Sequence, residues 1–141
     1  MRFMLIVKSN QASEAGVLPS EKELVAMGKF NEEMIKAGIM LTGEGLLASS
    51  KGARVTFDGG KPTVKDGPFA ETKELVCGFW LIQVKSKAEA VAWASRVPFE
   101  RGEIEVRQVS EAADFEPVIK TEAGKQVLAA EAAFRIQQTK A

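Results

Sequence analysis

The chain has 141 residues and equal numbers of basic and acidic side chains, 19 of each. This length fits one domain with a sizeable core, and a formal net charge of zero argues against a nucleic acid or an anionic membrane as partner. The sequence contains no histidine, no tyrosine and one cysteine, Cys77, which excludes histidine-based catalysis, histidine or thiolate metal sites and an intrachain disulfide. We therefore expect a cytoplasmic protein without a signal peptide, a membrane span or a cofactor.

The first half of the chain predicts strands, one helix and a hairpin. Residues 2–8 alternate as in a strand, but both of the predicted faces are apolar. Ser20 and Glu23 have the spacing of a capping box, which starts a helix. The turn residues 58–60, Asp-Gly-Gly, favour a tight hairpin. The predicted elements are strands at residues 2–8, 39–47, 53–57 and 62–65, and a helix at residues 20–37 with Leu24, Met27, Phe30 and Met34 on its buried side.

The second half repeats the order of strand, helix and strand. Residues 75–84 form the most apolar predicted strand, again on both faces. Ser86 and Glu89 form a second capping box, and Pro98 ends the helix that follows. A strand at residues 103–109 and a helix at residues 121–138 complete the prediction.

This order of elements predicts an α+β fold with a ferredoxin-like antiparallel sheet and two helices on one face. When the second face of such a sheet meets water, its strands alternate apolar and polar residues. Two of the predicted strands are instead apolar on both faces. We therefore predict a homodimer through the second sheet faces, a closed dimeric α/β barrel. The alternative is that the C-terminal helix covers the sheet. Residues 1–110 are the predicted domain, and residues 111–141 a C-terminal extension with a helix.

Two features resemble functional sites but have simpler explanations. Residues 43–48, Gly-Glu-Gly-Leu-Leu-Ala, match a dinucleotide-binding pattern, which requires that the glycines open a helix. A predicted turn follows instead, so we interpret the glycines as a bend or a close approach beside Glu44. Cys77 has no histidine to activate it, and core packing explains it better.

Residues 66–74, Asp-Gly-Pro-Phe-Ala-Glu-Thr-Lys-Glu, are the strongest candidate for a functional loop. Asp66, Gly67 and Pro68 specify a turn, and Phe69 is an apolar anchor for it. Charged residues lead directly from this turn into the most apolar strand, and a rigid loop beside a sheet is a common place for ligand-binding groups. The competing interpretation is a structural turn whose aspartate caps backbone N–H groups.

The same nine residues resemble the signature of the DGPF-motif proteins, a branch of the YCII-related family. The resemblance covers residues 1–110 and implies a ferredoxin-like α+β fold that dimerises sheet to sheet. The family is largely uncharacterised, and many bacterial members are encoded near alternative sigma factors, which implies a regulatory or stress context. Some relatives carry a histidine–aspartate pair proposed as acid and base. In this chain Asp66 corresponds to the aspartate, and the histidine is missing. Further matches lie at residues 4–6, 30–33, 43–46, 78–82 and 105–107.

Two functional hypotheses follow. In the first, a pocket without metal or cofactor binds or converts a small anionic or polar metabolite, with Asp66 as base or hydrogen-bond acceptor and Arg107 as carboxylate partner. In the second, the dimer is a non-catalytic binding or regulatory module. Divalent-metal binding by carboxylates is a remote third hypothesis, because their spacing matches no known loop. The candidate binding residues are Glu44, Phe69, Glu71, Lys73, Glu74 and Arg107.

Overall fold

The structure, a computed structural model, describes residues 1–70 and 72–140, with the backbone alone at residues 73, 139 and 140. The chain divides into two compact units, Met1–Arg107 and Gln108–Ala141. The strands are β1 Arg2–Lys8, β2 Met40–Gly45, β3 Ala53–Asp58, β4 Lys61–Asp66, β5 Val76–Gln83 and β6 Ile104–Gln108. The α-helices are α1 Gln11–Glu14, α2 Glu21–Lys36, α3 Lys87–Ala94, α4 Ala112–Phe115 and α5 Glu122–Lys140, with 3₁₀ turns at Ser49–Lys51, Thr72–Glu74 and Glu116–Val118.

The main sheet has four strands in the order β2-β5-β1-β6, and β3 and β4 form a separate two-stranded sheet. Strand β5 pairs antiparallel with both β1 and β2. The N–H of Lys8 donates to the carbonyl of Glu103 at 3.0 Å, so β6 starts where β1 ends. The predicted α+β, ferredoxin-like fold is confirmed, with the β3–β4 hairpin inserted between β2 and β5.

Capping groups explain where the helices of the first unit begin. The Ser20 hydroxyl accepts from the N–H of Glu23, and the Glu23 carboxylate accepts from the N–H of Ser20, as the capping box predicted. The same reciprocal arrangement joins Asn10 and Ser13 and forms the short helix α1. The sequence does not predict this helix, because one helical turn without apolar periodicity gives little signal.

One face of the sheet and two helices enclose the core. Ile82 of β5 and Met34 of α2 are fully buried, and α3 contributes Ala90. Phe30 packs edge-on against Trp80, with 6.0 Å between the ring centroids. The core residues are Phe3, Leu5, Phe30, Met34, Ile39, Trp80, Ile82, Val84, Ala90 and Val97.

The prediction that Leu24 lies in the buried stripe of α2 is wrong, because its side chain is 58% exposed. Phe30 and Met34 in the second half of α2 are buried, whereas the first turn has no buried residue. Helical spacing puts Leu24 on the correct side, but the helix packs against the sheet only further along. Periodicity alone cannot show where along a helix the packing starts.

The second face of the sheet is apolar in its centre. Met4 and Ile6 of β1 lie directly opposite Leu81 and Phe79 of β5, so the four side chains share this face. All four are half-buried in the single chain. The apolar character expected of both strand faces is therefore present, and the homodimer through this face stays a prediction.

The second unit is helical. Strand β6 leads into α4, which contacts α5. Several apolar side chains of α5 remain exposed, including Val127 and Phe134. Among the helices in the described part of the chain, none has the length and apolar character that crossing a membrane requires.

We predict that Leu5→Ala lowers the free energy of unfolding by about 2–5 kcal/mol, because Leu5 is fully buried and truncation leaves a cavity. The matched control is Leu47→Ala, since Leu47 is 79% exposed and the same truncation there should change stability by less than about 0.5 kcal/mol. Chemical denaturation of both variants measures this difference. Equal losses would contradict the assignment of the core.

Candidate functional site

Three loops meet at one end of the main sheet. Glu14 belongs to the loop after β1, Ser49 to the loop after β2, and Phe69 to the loop before β5. The Glu14 carboxylate accepts from the N–H of Ser49 at 3.0 Å and from its hydroxyl at 2.5 Å. The Ser49 hydroxyl oxygen in turn accepts from the N–H of Phe69 at 3.1 Å. We call Glu14, Ser49 and residues 67–69 the loop junction.

Gly67 is required at this junction because no side chain fits there. A Cβ atom on Gly67 would lie 1.8 Å from the carbonyl oxygen of Ser49, far inside van der Waals contact. The Gly67 N–H donates to the carbonyl of Gly52 at 3.0 Å, and the Gly67–Pro68 peptide bond is cis. The glycine of the Asp-Gly-Pro-Phe sequence therefore permits close contact between two loops.

The β3–β4 hairpin brings a cation to the loop junction. Gly59 and Gly60 have positive φ angles of 56° and 82°, as expected for the two central residues of a type I′ turn. At the root of the hairpin, the Arg54 guanidinium lies 4.0 Å from the centroid of the Phe69 ring. This distance is that of a cation–π contact.

The predicted base, Asp66, lies on the other face of the hairpin. Asp66 ends β4 and pairs with Ala53, whereas Arg54 pairs with Lys65. Adjacent residues of a strand point to opposite faces, so the Asp66 side chain points away from the face that carries Arg54 and Lys65. Asp66 is exposed. The structure thus places Asp66 beside the loop junction in sequence but does not direct its carboxylate to the cationic face.

Glu44 and Arg107 do not meet either. Glu44 pairs with Phe79 on the second face of the main sheet, on the outer strand β2. Arg107 lies on the opposite outer strand, β6, where its guanidinium is 3.7 Å from the Glu105 carboxylate. Three strand spacings separate the two outer strands, about 14 Å. Both residues are exposed.

Of the remaining candidates, Glu74 is the one whose side chain the structure describes. Glu74 is exposed in the 3₁₀ turn Thr72–Glu74. Glu71 and the side chain of Lys73 lie outside the described residues, so their predicted roles stay predictions. Over residues 1–70 and 72–140, no group of three carboxylates or thiols is arranged to hold a metal ion. Cys77 is half-buried, with its sulfur 3.6 Å from the carbonyl oxygen of Lys8.

Sequence reasoning missed Glu14 and Ser49, the two side chains that hold the loop junction together. They are 35 residues apart, and each lies in a short polar stretch with no periodicity. Arg54 is one of several cations in the hairpin sequence, and no local pattern distinguishes it from the others. A local pattern cannot reveal a hydrogen bond between two distant loops.

The fold and the loop junction together define a ferredoxin-like α+β protein with an inserted hairpin. The chain belongs to the YCII-related domain family, whose model matches residues 1–113. This agrees with the resemblance at the level of the family, while the DGPF branch stays a prediction.

The chain is similar to a curated protein and to a solved structure. An uncharacterised protein of Rhizobium meliloti (strain 1021) is 32% identical over 74 residues, which are 52% of this chain and 60% of that protein. The match therefore spans less than two thirds of the relative's length. A structure of 5-chloro-2-hydroxyhydroquinone dehydrochlorinase from Burkholderia phenoliruptrix, in complex with 2,5-dihydroxybenzoquinone, aligns with a TM-score of 0.45 and 16% identity, over 79% of this chain and 95% of that one.

We predict that Ser49→Ala lowers the free energy of unfolding by about 1–3 kcal/mol, because Glu14 and the N–H of Phe69 both lose a half-buried hydrogen-bond partner. Ser50→Ala is the matched control, since Ser50 is exposed in the same turn. Denaturant unfolding monitored by tryptophan fluorescence compares the two variants. If they are equally stable, the Ser49 hydroxyl does not hold the loops together.

Proposed function

We propose that this protein binds a small anionic molecule at the cationic face of the hairpin root, next to the loop junction. The site consists of Arg54 and Lys65, with Phe69 beneath the guanidinium. The proposal keeps the metabolite-binding hypothesis and moves its centre from Asp66 to Arg54.

The observation that carries this proposal is the pairing of Arg54 with Lys65. The two cations lie directly opposite each other on adjacent antiparallel strands, so their side chains share one exposed face. Like charges in this position repel each other and destabilise the strand pair. An anion between them offsets this repulsion, and the two head groups then supply several N–H donors to it.

The surroundings favour an anion with a planar group. The Phe69 ring fixes the position of the guanidinium, and a guanidinium binds carboxylate or phosphate oxygens through two parallel hydrogen bonds. Lys61 lies on the same face of β4 as Lys65, further along the strand towards the hairpin turn. Asp58 of β3 lies directly opposite Lys61 on this face and offsets its charge, so the positive field is centred on the root.

We assign binding and not a reaction to this face. The Asp66 carboxylate belongs to the other face of the hairpin, and the carboxylate that shares the cationic face, Asp58, lies at the turn end opposite Lys61. The catalytic role of Asp66 stays a prediction, and the experiment below tests whether Asp66 takes part in binding.

We predict that a saturating anionic ligand raises the melting temperature of the wild-type protein by roughly 5–10 °C, the stabilisation expected at about 100 times the Kd. The probes are inorganic phosphate and a panel of small mono- and dicarboxylates at constant ionic strength. Arg54→Gln should abolish the shift for every probe that gives one, whereas Asp66→Ala should keep it.

Lys61→Gln is the control for this screen, because it removes one positive charge from the same face of the hairpin but away from its root. It should keep most of the shift. An equal loss in Lys61→Gln and Arg54→Gln would indicate a general effect of charge and contradict a defined site. If the shift in melting temperature is lost in Asp66→Ala alone, the ligand binds at the Asp66 carboxylate and not at Arg54.

A second candidate function is a non-catalytic dimeric binding or regulatory module, in the transcriptional stress context that the resemblance implies. It is favoured by the apolar centre of the second sheet face, where Met4, Ile6, Phe79 and Leu81 lie together. Two such faces packed against each other remove this surface from water and give an isologous dimer.

For this dimer we predict two chains per particle at micromolar concentration, measured by light scattering. Met4→Lys should shift the particle to a single chain, because it places a charge in the centre of the interface. Val25→Lys is the control, since Val25 lies on α2 and is 49% exposed. A wild-type monomer, or a Met4→Lys dimer as stable as the wild type, would contradict an interface at this face.

A further inference from the structure

The two strands of the hairpin differ in how their outer edges are protected. Every residue of β3 and β4 is exposed, and no third strand joins them in the part of the chain that the structure describes. Strand β4 carries Lys61, Pro62 and Lys65, and lysine and proline are the residues that block pairing at a sheet edge. Strand β3 has neither. Its sequence, Ala-Arg-Val-Thr-Phe-Asp, alternates apolar and polar residues as a paired strand does.

The register shows which backbone groups of β3 point outward. Pro62 lies opposite Phe57, and a proline in a strand is placed where its missing N–H faces away from the partner strand. The Phe57–Pro62 pair is therefore a non-hydrogen-bonded pair, and its backbone groups face outward. Pairs alternate along an antiparallel ladder, so the backbone groups of Val55 also point to the open edge.

The outer edge of β3 is complementary to itself. When two copies of β3 run antiparallel with Thr56 on the twofold axis, Val55 of one copy faces Phe57 of the other, and the outward backbone groups of these two residues meet. In the same register Arg54 faces Asp58 of the second copy, on both sides of the axis. All three kinds of cross-strand pair are stabilising: opposite charges, a β-branched residue opposite an aromatic one, and threonine opposite threonine.

Neighbouring registers lose this charge match. Sliding one copy of β3 by two residues in either direction places Arg54 or Asp58 opposite Thr56 of the second copy. The alternation of hydrogen-bonded pairs excludes the registers in between, which turn apolar side chains to the polar face. One register thus satisfies the backbone, the ion pairs and the apolar pairs together.

We propose that β3 is a self-association strand, which pairs with β3 of a second copy of this chain to form a four-stranded intermolecular sheet, β4-β3-β3-β4. A two-stranded ribbon is marginally stable by itself, and pairing doubles the number of its strands. The contact joins Val55 and Phe57, which are 53% and 71% exposed, to their counterparts in the second copy. This interface is separate from the second face of the main sheet, and the inference does not rest on the proposed ligand site.

Disulfide trapping tests the proposed register. Residues directly opposite in a non-hydrogen-bonded antiparallel pair have Cα atoms about 4.5 Å apart, within the range for a disulfide. In a Cys77→Ser background, Thr56→Cys should therefore form a covalent dimer under mild oxidation. Thr63→Cys is the matched control. Thr63 pairs with Thr56 within the hairpin and shares its face, but it lies on β4, whose edge is blocked by lysine and proline. We expect a crosslinked fraction at least about tenfold higher for Thr56→Cys, because only that position lies on the axis.

Charge reversal tests the ion pairs in the same crosslinking assay. Asp58→Arg should reduce trapping through Thr56→Cys by about tenfold, because it opposes like charges on both sides of the axis. Adding Arg54→Asp to Asp58→Arg exchanges the two charges and should restore trapping.

Equal crosslinking through Thr56→Cys and Thr63→Cys would overturn the proposal, since it would indicate random collision. So would a folded Thr56→Cys protein that stays uncrosslinked, in which case the open edge of β3 fits a different partner. Failure of the exchanged pair to rescue would exclude the register. Because Asp58 is not part of the ligand site, the anion-induced shift in melting temperature should persist in Asp58→Arg, which separates this inference from the proposed function.

Discussion

The close approach of Gly67 to Ser49 is the constraint on which the organisation of the loop junction depends. The Ser49 carbonyl occupies the place that a side chain at position 67 would need. With the two loops in contact, the Ser49 hydroxyl reaches the N–H of Phe69 and the Glu14 carboxylate reaches Ser49. Phe69 is then fixed where Arg54 can lie over its ring. The Asp-Gly-Pro-Phe sequence is thus first an architectural element, and it contributes to the proposed ligand site only through the position of Phe69.

The sheet and the long helices were predictable because their signals are local. The alternation of residues in β1 and β5 and the capping box at Ser20 each lie within a few residues of sequence. The loop junction was not predictable, because α2 and β2 separate Glu14 from Ser49 in the sequence and the two residues meet only in the folded chain. The face of the hairpin on which Asp66 lies could not be predicted either. It depends on the hairpin register, and a shift of one residue would move every side chain of the hairpin to the other face.

The two sheets of the first unit solve the problem of apolar strands differently. The main sheet is apolar on both faces at β1 and β5, and Met4 and Phe79 on its second face are half-buried. The hairpin instead carries its apolar side chains on one face, which also bears Asp66, and polar or charged side chains on the other, and all of them are exposed. A fully exposed apolar face on so small a ribbon is unusual unless it is used for contact. Lysine and proline block the outer edge of β4, whereas the outer edge of β3 has neither. The side of the ribbon that is free to make that contact is therefore the β3 side.

Arg54 takes part in each of these arrangements. Its guanidinium lies on Phe69, opposes Lys65 within the hairpin, and in the proposed self-association faces Asp58 of the second copy. A guanidinium has five donors, so these contacts are compatible in geometry. They are not independent in energy, because an anion between Arg54 and Lys65 reduces the positive charge available to Asp58 of the second copy. Coupling free energies between binding events are reciprocal, so the anion and the second copy must weaken each other's binding by the same factor. The cationic pair at the hairpin root therefore connects the proposed ligand binding to the proposed assembly through one side chain.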